Sequence, residues 1–107
     1  MTGATIIKSY IQRGRHFTIA QNEDGFFLAI EDKYITDGKL NRSLNGFQMH
    51  ASKSLQDCLS NLRNAIEIEY LESQGHSKAE AFAIHFNMLD KLELLEEAFT
   101  TMEKTFA

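Results

Sequence analysis

The sequence has no proline, no tryptophan and a single cysteine in 107 residues. One thiol cannot close an internal disulfide. No apolar stretch reaches the roughly 18 residues of a membrane span, and the N-terminus lacks the apolar run of a secretory signal. The expectation is therefore a soluble, cytoplasmic protein in a reducing compartment, with no membrane contact. An excess of basic charge is also missing. Fifteen acidic residues face 11 basic ones, a formal net charge of -4, which argues against the basic footprint that general nucleic-acid affinity requires. No repeat, low-complexity tract or linker interrupts the chain.

What is present is ordinary globular usage. Hydrophobic residues make up 43% and charged residues 24%, so neither wholesale disorder nor a collagen-like repeat fits. The length predicts one domain over 1–107. The charge is split along it. Residues 1–55 hold seven basic residues (Lys8, Arg13, Arg15, Lys33, Lys39, Arg42, Lys53) against five acidic ones, whereas residues 56–107 hold four against ten. A glutamate-rich helix usually only solvates its outer face. The sharper reading is an acidic surface offered to a basic partner.

Ile6, Ile7, Tyr10 and Ile11 follow i, i+1, i+4, i+5 spacing, which predicts a short helix over 1–13 ended by Gly14. The sheet is expected over 16–51. His16 to Ala20 alternates with Phe17 and Ile19 on one side, and Phe26 to Ile30 is a continuous apolar run. Asp24-Gly25 between them predicts a hairpin turn. Residues 32–46 carry two further Gly turns, Asp37-Gly38 and Asn45-Gly46, and read as a short extra strand or an extended loop. Phe47, Met49 and Ala51 alternate inward, with Gln48 and His50 outward, as a third principal strand.

The helical part is expected over 54–106. Ser54 caps a long helix whose apolar positions run Leu55, Cys58, Leu59, Leu62, Ala65 and Ile66. Ser77 to Glu80 is a capping box that starts a shorter helix. A break near Asn87–Asp90 precedes the last one. The class is thus α+β, a three- or four-stranded antiparallel sheet in the order α-β-β-β-α-α-α.

Glu23-Asp-Gly-Phe-Phe-Leu-Ala29, then Ser54-Leu-Gln-Asp-Cys-Leu59 and Asn61-Leu-Arg-Asn-Ala-Ile66, carry a resemblance. The stretch from His16 to Leu71 resembles the HicB-type antitoxin domain, a variant of the double-stranded-RNA-binding fold, in which a similar hairpin leads to a third strand and an Ala- and Leu-rich helix. The segment between the second and third strands is longer here. The acidic C-terminal part does not resemble the helix-turn-helix reader of many such antitoxins. The resemblance implies a non-catalytic protein that covers a partner's working surface. In overall character the chain also resembles small accessory proteins of bacterial mobile elements, among them anti-CRISPR inhibitors of Cas nucleases.

The last helix holds the cleanest pattern. Leu92, Leu95, Phe99, Met102 and Phe106 step by 3, 4, 3 and 4. This seam fits docking on the protein's own long helix or, as the functional reading, a homodimer or partner-binding face. Glu67, Glu69, Glu72, Glu93, Glu96, Glu97 and Glu103 are the candidate acidic face. Neither Glu96-Glu97 nor Glu67 with Glu69 meets at one turn's spacing, no nucleophile elbow surrounds a serine, and Gly25, Gly38 and Gly46 are isolated. No enzyme and no cofactor are expected. Cys58, His16, His50, His76 and His85 show no paired metal-ligand spacing, and Cys58 lies on an apolar stripe where a buried thiol is the commoner reading. The expected function is a non-enzymatic inhibitor that binds a protein, a Cas or toxin nuclease being the leading partner. One alternative is a nucleic-acid-associated regulator using Lys8, Arg13, Arg15, Lys39 and Arg42, with Tyr34 and Phe47 as stacking residues. The other is a zinc-binding module.

Overall fold

Strand β1 (Thr5–Gln12) turns back into β2 (Arg15–Gln21) through Arg13 and Gly14, whose φ values of 49° and 74° make a two-residue hairpin turn. The computed structural model describes residues 4–40 and 49–106, without the side chains of Met49 and Phe106. The expected N-terminal helix is thus replaced by a strand. Gly14 supplies a hairpin's positive φ and does not end a helix. Three isoleucines, a threonine and a tyrosine in eight residues give β1 the β-branched and aromatic content of a pleated strand. Its helical spacing misleads because β1 is an edge strand whose isoleucines are largely exposed, so burial imposes no alternation.

The β2–β3 hairpin forms as the sequence predicts. Asn22 Oδ1 accepts from the backbone N–H groups of Asp24 (3.0 Å) and Phe26 (2.9 Å), while Gly25 takes φ 84°. Strand β3 (Phe27–Glu31) continues through a 3-10 turn at Asp32–Tyr34 into a small separate hairpin, β4 (Ile35–Thr36) and β5 (Lys39–Leu40), around Asp37-Gly38. The sequence reads this region as a short extra strand or an extended loop; its described part, up to Leu40, holds two short strands paired with each other. Asn45-Gly46 and Phe47-Gln48 lie outside the described residues. Strand β6 (Met49–Ser52) completes a four-stranded antiparallel sheet in the order β1-β2-β3-β6.

Register shows why the core sits where it does. Ile19 lies opposite Ala29, and Ala29 opposite His50. Residues directly opposed in an antiparallel ladder share a face, so Phe17, Ile19, Ala29 and His50 form one face and Ala20, Ile30 and Ala51 the other. Ile19, Ala20, Ala29 and Ile30 are all fully buried, so the two central strands are enclosed on both sides. His50 is half-buried and Ala51 exposed, which reverses the inward and outward assignment made from residue type. Both faces of β3 are buried, so β6 opposes a buried residue on each side, His50 against Ala29 and Met49 against Ile30.

Helix α1 (Leu55–Ser73) is capped as expected, the Asp57 N–H donating to Ser54 Oγ at 3.2 Å. Its first half meets the Ile19 face. The Cys58 thiol donates to the His50 carbonyl at 3.5 Å, and Gln12 Nε2 donates to the Arg63 carbonyl at 3.4 Å. The stripe predicted on α1 is confirmed at Cys58, Leu62 and Ile66, which are buried. The chain divides into two compact units, Met1–Arg63 and Asn64–Ala107, with the boundary inside α1. The second contains the rest of α1, α2 (Lys78–His85), a 3-10 turn at Leu89–Lys91, and α3 (Leu92–Phe106). No helix among the described residues is long and apolar enough to cross a membrane.

One ion pair ties β2 to β3 at the hairpin's open end. Arg15 Nη2 donates to Glu31 Oε1 at 2.8 Å and Nε to Oε2 at 3.1 Å, with Lys33 at 3.7 Å from the same carboxylate. The hydrogen bond from Arg15 is the main cause that holds the Glu31 carboxyl below the usual range. Partial burial opposes it, and the charges of Arg15 and Lys33 reinforce it. The stability this contributes is complete above the ordinary glutamate value of about 4.3 and is lost as pH falls through the lower folded value. Glu31→Gln is expected to cost about 1 kcal/mol at neutral pH. Urea unfolding across a pH series should show wild type and variant converging in acid, where Glu31 is itself uncharged.

Candidate functional site

The second unit is built from its capping box. Ser77 Oγ accepts from the Glu80 N–H at 3.1 Å, and the Ser77 N–H donates to Glu80 Oε1 at 2.9 Å. The second of these bonds is the main cause that holds the Glu80 carboxyl below the usual range. The box fixes where α2 begins, and with it the buried row Ala79, Ala81 and Ala83. At the other end Asn87 takes φ 56° and the 3-10 turn redirects the chain into α3. Helix α3 packs on α2. The Phe82 ring meets Phe99 edge-on at 5.7 Å and Phe86 at 4.6 Å. His85 stands against Phe86 at 4.7 Å and shares a 2.9 Å hydrogen bond with Asn64 Oδ1.

This packing divides the predicted seam. Leu92, Leu95 and Phe99 are half-buried, and the aromatic contact places Phe99 against α2, where docking on the long helix α1 was expected. Met102, one turn further on, is 51% exposed, and Leu94, off the seam, is 62% exposed. The Phe106 side chain is outside the described residues. Glu93, Glu96, Glu97 and Glu103 are all exposed. Two shallow grooves run beside them. One, of about 530 Å3, lies between α2 and α3, with Ala79 and Phe99 apolar, Glu80, Glu96 and Glu103 acidic, and Lys78 basic. The other, of about 600 Å3, follows the outer face of α3 past Glu93, Leu94, Glu97 and Lys104. Glu67, Glu69 and Glu72 differ from these. They sit half-buried on the last turns of α1, and Glu67 and Glu69 engage in interactions of their own.

The arrangement suits binding by charge and apolar contact. Its carboxylates line open grooves and do not converge on one point. The His and Cys candidates are dispersed: His16 is exposed on β2, Cys58 and His50 meet under α1, and His76 and His85 belong to the second unit. Among the described residues no three His, Cys, Asp or Glu side chains come together as a metal site. In the N-terminal unit much of the basic charge is engaged. Arg15 and Lys33 pair with Glu31, Arg15 also lies 5.3 Å from the Phe17 ring, and Lys53 stands 5.2 Å over Phe26. Lys8, Arg13 and Lys39 are exposed, Arg13 with an interaction of its own, and Arg42 lies outside the described residues.

Residue-by-residue reading missed Phe82, which organises this unit. Its i, i+4 spacing to Phe86 was the available signal. It missed Leu94 as well, which no periodicity marks. No protein family, curated protein or solved structure matches the chain.

Phe82→Ala removes the ring between α2 and α3 and is expected to cost about 2 to 3 kcal/mol in urea unfolding. Burial pushes the Cys58 thiol up. Its reaction with an aromatic disulfide reagent at neutral pH should therefore be slow in the folded protein and become fast on unfolding.

Proposed function

We propose that this chain is a non-enzymatic binding protein whose C-terminal unit engages a basic protein surface. The observation that carries the reading is α3, where Glu93, Glu96, Glu97 and Glu103 are exposed beside the uncovered side chains of Leu94 and Met102. Carboxylates of one sign steer a basic partner into encounter, and apolar contact then slows its release. The nucleic-acid channel of a nuclease is the basic surface that best fits an acidic helical face, and occupying it would inhibit the enzyme. An anti-CRISPR-like or antitoxin-like role follows, with a Cas or toxin nuclease as the target. The HicB-type resemblance of residues 16–71 supports the same direction. A homodimer through the α3 seam is less well supported. Antiparallel self-pairing about Phe99 would set Glu96 opposite Glu103 of the other copy, and like charges at those flanking positions repel.

The test is affinity capture from a bacterial lysate, comparing the natural chain with a variant carrying Glu93→Lys, Glu96→Lys, Glu97→Lys and Glu103→Lys. The natural chain should retain a nuclease that elutes as salt is raised, and the variant should retain at least about tenfold less. Recovery of nucleic acid alone, or of the same proteins by both chains, would reject the reading.

A further inference from the structure

We draw no further inference here: the strongest candidate, the exposed apolar surface of Ile84, Phe86 and Leu89 where α2 ends and the 3-10 turn begins, is an unpartnered face, and nothing in the structure shows what covers it.

Discussion

The N-terminal unit depends on closing both faces of the β2–β3 ladder. Ile19 and Ala29 face one side and Ala20 and Ile30 the other, and none of the four keeps contact with water. Burying one large aliphatic side chain is worth about 1.5–3 kcal/mol, so a two-stranded ribbon with two apolar faces cannot remain open. The neighbouring strands follow from this. β1 and β6 flank the pair, and α1 brings Cys58 and Leu62 onto the Ile19 side. The charged clamp of Arg15 on Glu31 then sits where β2 and β3 end, and fixes their register at the point where burial ceases to do so.

The same constraint explains which parts of the fold were legible in the sequence. Elements that carry local chemical signatures could be read directly: the Asp24-Gly25 turn, the Ser54 cap, the Ser77 box, and the buried stripe through Cys58, Leu62 and Ile66. β1 could not, because its side chains answer to a partner strand across the hairpin more than to a core. Four apolar residues at helical spacing imitate a helix when exposure leaves the pattern free. β6 failed differently. Ala51 is apolar and His50 polar, yet His50 is half-buried opposite Ala29 and Ala51 is exposed opposite Leu28. In an outer strand of four residues, place in the sheet outweighs the hydropathy of single side chains.

The candidate site was legible in composition but not in geometry. Counting charges located the acidic half, and heptad spacing located the α3 seam. Neither could separate Glu93, Glu96, Glu97 and Glu103, which stand in solvent, from Glu67, Glu69 and Glu72, which are half-buried. That distinction comes from which helix packs on which. Phe82 receives Phe99, so α2 consumes the first part of the seam and leaves Met102 uncovered. A periodic stripe specifies that a helix must be covered, not by what.

On α3 the exposed apolar residues are bordered by glutamates, and antiparallel self-pairing of the seam would bring Glu96 near Glu103 of the other helix. Under the proposed function a basic counter-surface fits this border better than a second copy does. Coulombic attraction at such a border is screened by salt, whereas the apolar contact that Leu94 and Met102 offer is not, so the two parts of the proposed interface answer to different conditions.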